Sequence, residues 1–273
     1  MTAAPHNLPL AEAAALTRRI TLLSVATATL LVSIKAVAWV ASGSVALLAS
    51  MADSGLDLVA SLATFFAVRY ATAPPDAEHR FGHGKAEAFA SLMQAGLVFA
   101  SAALVTREAI ARFLDPQPVE QGGWAMAVMA GSILVTGGLV YAQGQVLKKT
   151  TSVAVAGDRA HYFSDLASNL AALLGIAGAA LAGLNWLDPV AGLVVAALLI
   201  WAAVGVFREA ANQLMDHELP DEDRAEIRRL AQDCSRVLNL RQPRRRAWGP
   251  YVHIEMPMEL VSGLTLEAAH RVV

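Results

Sequence analysis

Cysteine and charged residues are scarce in this 273-residue chain. Its single cysteine, Cys234, excludes an internal disulfide framework and a cysteine-rich zinc site, and is interpreted as an ordinary reduced thiol. Asp, Glu, Lys and Arg make up 16% of the residues, whereas a soluble domain usually carries about a quarter. The formal net charge of −2 leaves no basic excess to neutralise phosphates, which argues against nucleic acid as the main partner.

The N-terminus also lacks the pattern of a cleaved signal peptide. Residues 1–16 contain no basic leader before an apolar core, and Arg18 and Arg19 come directly before a hydrophobic run far longer than a signal core. That run is expected to be retained.

Apolar residues are abundant, at 56% of the chain. A membrane-spanning helix needs roughly 20 largely apolar residues. Six stretches reach that length, at about 20–41, 45–70, 86–112, 123–147, 152–182 and 189–208. After Phe207 the composition turns to Asp, Glu and Arg. The predicted fold class is a membrane all-α six-helix bundle over residues 1–208, followed by a small cytosolic α+β domain over residues 209–273.

Basic residues in the short loops indicate the orientation in the bilayer. Those that fall on one side are Arg18, Arg19, Arg69, Arg80, Lys85, Lys148, Lys149 and Arg159. The opposite side has a turn without charged residues after the first span and an acidic turn before the sixth. Arg107 and Arg112, in the third span, are the exceptions. Both termini are therefore expected to be cytoplasmic.

The tail is expected to contain both helices and strands. An acidic first turn starts a helix at Asp221, strands are predicted over 238–241 and 251–258, and Thr265 is a plausible cap of a final helix. The arginines of the connecting hairpin are interpreted as a solvated turn, with contact to anionic lipid as the alternative. These arginines are Arg241, Arg244, Arg245 and Arg246.

Four ionisable residues sit where the membrane is expected to exclude them, Asp53 and Asp57 in the second span and His161 and Asp165 in the fifth. Each pair is spaced by four residues, so both side chains project from one face of their helix. A charge at membrane depth costs roughly 2.5–3.5 kcal/mol even on the lenient insertion scale. We expect the two faces to meet and share a divalent cation, because three carboxylates and one imidazole suit tetrahedral zinc.

The ligand types leave the metal partly open, because carboxylate-rich sites also accept manganese or ferrous iron. A hydrogen-bonded polar network that only locks the helices together is the alternative interpretation of these four residues.

Two further groups are candidate metal ligands. The group in the loop between the second and third spans comprises Asp76, His79 and His83. Two glycines allow this loop to fold around an ion, and a solvated loop is the alternative. In the tail, His253 and Glu255 share one strand face by the two-residue period, and His270 follows later. An exposed polar strand face explains the tail residues at least as well.

Three motifs in order make the chain resemble the cation diffusion facilitator family, specifically its bacterial branch of zinc and ferrous-iron efflux proteins. They are SMADSGLD at 50–57, FGHGKAE at 81–87 and HYFSD at 161–165. The resemblance extends from about residue 14 to the chain end. It implies six spans, cytoplasmic termini, a ferredoxin-like cytosolic domain and a homodimer in the bacterial cytoplasmic (inner) membrane.

The resemblance also implies roles for individual residues. The transport site would comprise Asp53, Asp57, His161 and Asp165. A second site, in the intracellular loop, would comprise Asp76, His79 and His83. Lys85 would pair with Asp216, as a charge interlock at the membrane–cytosol junction of the dimer.

The tail departs from the family pattern in two respects. His253 and His270 match ligand positions of a cytosolic metal site, but Leu238 stands where a further His is usual. The family's tail domain also continues through a last strand with more ligands, whereas this chain stops at Val273. The ferredoxin-like domain is therefore expected to lack its last strand.

The expected function is export of a divalent cation by metal/proton antiport with alternating access. Zn²⁺ is the favoured ion, transported and also structural, with Fe²⁺, Cd²⁺ or Mn²⁺ as alternatives. Protons compete for ligands that must be deprotonated to bind metal, and His161 is the natural exchanger because an imidazole titrates near pH 6.5. A non-transporting membrane metal sensor is the other hypothesis. An intramembrane metallohydrolase is not favoured, because the chain has no His-Glu-x-x-His helix.

Overall fold

The computed structural model describes residues 9–42, 45–114, 123–182, 187–218, 221–232, 236–249 and 251–272. Cys234 lies outside these residues. Six long helices come first along the chain. Their bounds are α1 Leu10–Ser42, α2 Val45–Ala71, α3 Lys85–Leu114, α4 Gly123–Leu147, α5 Val153–Ala182 and α6 Leu187–Leu214.

Five of the described helices are long and apolar enough to cross a membrane, namely α1, α2, α3, α4 and α6. The remaining long helix, α5, carries Asp158, Arg159, His161 and Asp165 within eight positions. The boundary predicted at residue 208 falls inside α6, which continues to Leu214. Hydropathy marks where the apolar environment ends, and a helix can continue beyond that point.

The bundle is held together by small and aliphatic side chains of α3, α5 and α6. One buried cluster joins Val98 and Ala102 of α3 to Ala171 of α5 and Leu199 of α6. Small residues let membrane helices approach closely. Gly157 of α5 illustrates this, because a Cβ there would lie 3.0 Å from a side-chain atom of α3.

The outer surface of the bundle is rich in large apolar side chains. Leu134 and Trp201, for example, are 77% and 79% exposed in the single chain. Monomeric soluble proteins rarely present such extended apolar surfaces, so this surface is typical of contact with lipid.

The tail consists of short elements, with bounds α7 Asp221–Gln232, β1 Val237–Leu240, β2 Arg244–Trp248, β3 Tyr251–Glu255, β4 Met258–Leu260 and α8 Leu266–His270. β1 pairs with β4 and β2 with β3, both antiparallel. The two pairs are successive parts of one interrupted hairpin, whose tip lies between Trp248 and Tyr251. In the described part of the tail the strands form these pairs and not a four-stranded sheet. Thr265 caps α8 as predicted, accepting a hydrogen bond from Ala268 N at 3.2 Å.

Two of the four hairpin arginines face carboxylates near the end of α6. The side chain of Arg245 is buried, and its Nε lies 3.0 Å from Glu218 Oε1. Arg246 lies 3.1 Å from Asp216 Oδ2. The interpretation of these two residues as a solvated or lipid-facing turn is therefore wrong, because folding brings the hairpin against acidic residues that are distant in the sequence. Arg244 is exposed.

Candidate metal centre

The acidic faces of α2 and α5 meet inside the bundle. His161 Nε2 lies 3.0 Å from Asp57 Oδ1 and 3.8 Å from Asp165 Oδ2. One ligand atom from each of these three residues lies within 4.8 Å of the others. The side chains of His161 and Asp57 are only 6% and 12% exposed. The three residues are thus close enough to hold one divalent ion between two helices.

Several buried atoms of this cluster have unused bonding capacity. Among the described residues, His161 Nδ1, Ser164 Oγ and Asp165 Oδ2 have no hydrogen-bond partner. Buried polar atoms are normally paired, so such atoms at one place call for an explanation. A carboxylate oxygen and an imidazole nitrogen without a partner are donors that an ion can use.

Asp53 is set apart from the other three predicted ligands. It lies one helical turn before Asp57, is exposed in the single chain, and is not part of the group of converging ligand atoms. The structure therefore brings together three of the four residues predicted for this site and places the fourth at its edge.

The structure adds a lysine that the sequence reasoning missed. Lys35 Nζ donates hydrogen bonds to Ser54 Oγ at 2.6 Å and to Ser50 O at 3.3 Å. Both acceptors lie on α2, three residues before Asp53 and Asp57. The signal was present in the sequence, because Lys35 is the only charged residue of the first predicted span. An ionisable residue within a span is a candidate functional residue by default.

A second missed residue, Asp158, lies one turn of α5 before His161. It is 1% exposed and accepts hydrogen bonds from Gln94 Nε2 of α3 at 3.2 Å and Gln143 Nε2 of α4 at 2.9 Å. Gln143 also donates to Ser24 Oγ of α1 at 3.2 Å. The expectation of four intramembrane ionisable residues is therefore too low, because it omitted Lys35 and Asp158.

Exposure along α2 shows from which end the cluster can be reached. Asp53 is exposed, Asp57 is buried, and Ser61 and Thr64, further along the helix, are fully buried. Ser61 Oγ lies 2.7 Å from the hydroxyl of Tyr162. This hydrogen bond joins α2 to α5 one helical turn of α2 beyond Asp57. The face of α2 that carries the cluster is therefore exposed toward the end of the bundle where α1 ends and α2 begins, and buried toward the other end.

The loop between α2 and α3 holds a second group of converging ligand atoms, from Asp76, His79 and His83. Asp76 Oδ2 lies 3.2 Å from His83 Nε2, and Asp76 Oδ1 lies 3.3 Å from His79 Nδ1. His83 is buried, its ring packs 4.2 Å from that of Tyr70, and its Nδ1 has no partner in the described part of the chain.

The backbone of this loop fixes Asp76 as a carboxylate. The N–H groups of His79 and Glu78 donate to its Oδ1 at 2.6 and 2.9 Å. These hydrogen bonds, first that from His79, lower the pKa of Asp76 below its ordinary value, with a smaller contribution from the two imidazoles. The carboxylate is therefore available as a metal ligand throughout the physiological pH range.

The tail hairpin docks against the end of this loop. Lys85, the first residue of α3, lies 3.1 Å from Asp216 Oδ1 and donates to Leu214 O at 3.2 Å. Partial burial works to raise the pKa of Asp216, but the ion pairs with Lys85 and Arg246 outweigh it and hold that pKa below its ordinary value. Lys85 and Asp216 here belong to the same chain.

Trp248, at the hairpin tip, packs on the loop itself. Its ring centroid lies 6.2 Å from that of Phe81. A Cβ added to Gly84 would lie 2.6 Å from the carbonyl oxygen of Trp248, so only glycine permits this approach. Gly84 directly follows His83 in the chain. The contact between the hairpin and the loop therefore lies next to the cluster of Asp76, His79 and His83.

The candidate ligands of the tail do not form a converging group of three among the described residues. His253 Nε2 lies 3.5 Å from Glu255 Oε1 on β3, and both side chains are more than a third exposed. His270 is exposed at the end of α8 and joins no group of three ligand atoms among the described residues. Leu238 is 68% exposed.

Comparisons with known proteins bear on the same part of the chain. The model of the cation efflux transmembrane domain matches residues 21–215. The chain is 38% identical over 249 residues to the cation-efflux pump FieF of Shewanella oneidensis, covering 91% of this chain and 84% of that protein. It is 36% identical over 243 residues to FieF of Yersinia enterocolitica, with coverage of 89% and 81%, and 35% identical over 262 residues to FieF of Escherichia coli, with coverage of 94% and 85%.

Proposed function

The chain belongs to the cation diffusion facilitator family of cation efflux proteins, and on that premise we propose that it exports a divalent metal ion, Zn²⁺ first, in exchange for protons. Members of this family are transporters, so the protein is a membrane transporter and not an enzyme. The observation that carries the proposal is the convergence of Asp57, His161 and Asp165 from two helices onto one buried point.

The proposed transport site consists of those three residues with Asp53 at its outer edge. Two carboxylates and an imidazole within 4.8 Å of one another supply the oxygen and nitrogen ligands that zinc accepts, and Asp53 would complete a tetrahedral set. Fe²⁺, Cd²⁺ and Mn²⁺ are alternative substrates, because carboxylate-rich sites also accept them.

Proton exchange follows from the same ligands. Carboxylates and imidazole bind metal only when deprotonated, so protons and metal compete for the same lone pairs. In the proposed cycle, metal enters from the cytosol, the site turns outward, and protons displace the ion. If both termini are cytoplasmic, the exposed end of the cluster faces away from the cytosol, and we assign the conformation described here as outward-facing.

The remaining features are assigned by family membership. We propose a homodimer in the bacterial cytoplasmic membrane, with six spans that include α5 and a tail related to the ferredoxin-like fold. The group of Asp76, His79 and His83 is proposed as a second, cytosolic-side metal site. The hairpin contact through Lys85 and Asp216 supports a coupling between that loop and the tail.

The test is metal flux into proteoliposomes with an imposed pH gradient, comparing Zn²⁺, Cd²⁺, Fe²⁺ and Mn²⁺. We expect Zn²⁺ uptake that collapses when the gradient is removed and that is lost in Asp57→Ala and His161→Ala. The matched control is His217→Ala, which removes an exposed imidazole outside the bundle. Unchanged uptake in both site variants would sink the proposal, and metal binding without any flux would favour the sensor hypothesis.

A further inference from the structure

Lys35 places a positive charge beside the proposed transport site. It lies within α1 as the only charged residue between Arg19 and the end of that helix. Its ammonium is held by two acceptors of α2, Ser50 O at 3.3 Å and Ser54 Oγ at 2.6 Å. Each acceptor lies three residues before one of the two aspartates of the site, Asp53 and Asp57.

The surroundings of the ammonium are informative. Lysines in membrane helices usually extend their ammonium toward the interface, where water solvates it. Here the ammonium donates to Ser54, which is itself only 1% exposed. Holding a charge at that depth is costly, and an acidic partner is the usual compensation. The acids that follow the two acceptors on α2, each by three residues, are Asp53 and Asp57.

The charges of the site balance only when Lys35 is counted. Asp53, Asp57 and Asp165, when ionised, carry three negative charges, and a neutral His161 adds none. A divalent ion cancels two of them, and the ammonium of Lys35 cancels the third. The loaded site is therefore neutral, which is the least costly state for a site that must change its exposure within a low-dielectric bundle.

We propose that Lys35 is the fixed counter-cation of the transport site, which makes the divalent-loaded site neutral and keeps metal affinity low enough for release. This inference rests on the proposed function, because it takes Asp53, Asp57, His161 and Asp165 as the transport ligands. Repulsion between the ammonium and the bound ion weakens metal binding, and the same ammonium stabilises the carboxylates after the ion has left.

The test measures Zn²⁺ affinity of the purified full chain by competition with a fluorescent chelator. The background is Asp76→Ala/His83→Ala, which removes the loop cluster from the titration. Lys35→Gln keeps a hydrogen-bond donor for Ser54 but removes the charge, Lys35→Arg keeps the charge, and Lys148→Gln removes an exposed charge just after α4. We expect Lys35→Gln to bind Zn²⁺ about tenfold more tightly and to release it more slowly in flux measurements. Lys35→Arg and Lys148→Gln should keep the affinity of the background.

Equal Zn²⁺ affinity in Lys35→Gln and the background overturns the inference. If Lys35→Gln does not fold, Lys35→Met replaces it, with the same expected increase in Zn²⁺ affinity. A folded Lys35→Arg whose Zn²⁺ affinity changes more than tenfold also overturns the inference. Asp57→Ala in the same background separates the two proposals. Loss of binding in Asp57→Ala, with no effect of Lys35→Gln, removes only the role of Lys35, whereas unchanged binding in Asp57→Ala removes the transport site and both proposals.

Discussion

His161 of α5 and Asp57 of α2 lie within hydrogen-bonding distance across the bundle, with 3.0 Å between Nε2 and Oδ1. The two residues are 104 positions apart in the chain. The pairing joins two helices at a buried point and leaves the other imidazole nitrogen of His161 without a partner in the described structure. Helix packing and ligand geometry are therefore set by the same contact.

The two aspartates of α2 are expected to differ in their importance for metal binding. Asp57 is buried against His161, whereas Asp53 is exposed and outside the converging group. Asp57→Asn should weaken Zn²⁺ binding by about 100-fold or more and Asp53→Asn by about tenfold. Chelator competition in the variant lacking the loop cluster measures both. The reverse order would place the ion nearer the exposed end of the site.

Asp158→Asn tests the buried network one turn away from the site. Both carboxylate oxygens of Asp158 accept hydrogen bonds from glutamine amides, and an asparagine can offer only one acceptor oxygen. We expect the loss of about 1–3 kcal/mol of stability, because the substitution leaves a buried glutamine amide without its acceptor.

The thermal unfolding midpoint in detergent gives the readout for this variant. Glu108→Gln is the control, because it neutralises an exposed carboxylate on α3, 65% exposed, that pairs with Arg112. Equal midpoints for Asp158→Asn and Glu108→Gln would show that the network contributes no more than a surface ion pair.

Gly84→Ala is expected to detach the hairpin tip from the loop. The added Cβ would meet the carbonyl oxygen of Trp248 at 2.6 Å, and a backbone atom cannot move aside as a flexible side chain can. Hydrogen exchange of residues 244–248 should become several-fold faster. Gly96→Ala, within α3, where an added Cβ would meet nothing within 4 Å, is the control. Unchanged exchange in Gly84→Ala would mean that the contact with Trp248 is not maintained in solution.

The contact between Lys85 and Asp216 should be insensitive to pH near neutrality. The pKa of Asp216 is lower in the folded chain than its unfolded value of about 3.9, so the pair contributes stability above that value and loses it as the pH falls through the folded pKa. Because both side chains are partly exposed, the contribution is about 1 kcal/mol or less.

Hydrogen exchange of the hairpin tip should accordingly stay constant from pH 8 to about 5, after correction for the intrinsic exchange rate, and increase below about pH 4. Asp216→Asn should show faster exchange at every pH and a smaller additional increase in acid. A transition near pH 6 would assign the docking to a histidine instead.

Much of the candidate site could be predicted from spacing. Two i, i+4 pairs lie in apolar stretches, Asp53 with Asp57 and His161 with Asp165. The free energy needed to place a charge in the membrane favours contacts between such residues. The loop group of Asp76, His79 and His83 was visible because its members are close in sequence. The cap at Thr265 and the helix start at Asp221 were predicted correctly for the same local reason.

Partners that are distant in the chain could not be predicted this way. Nothing near Arg245 in the sequence indicates that it will form a buried ion pair with Glu218. Likewise, nothing near Asp158 indicates that Gln94 and Gln143 will donate hydrogen bonds to it. Lys35 was visible as an isolated charge, but its turn toward Ser54 depends on how α1 packs against α2.

The sequence by itself determined that this chain crosses a membrane and which residue types bear the metal chemistry, because hydropathy and helical periodicity are local properties. Only the tertiary structure decided which of those ligands converge, that Asp53 stays at the edge, and that Lys35 and Asp158 flank the site. Helix packing fixes the rotation and depth of one helix against another, and those two quantities are not encoded in any single span.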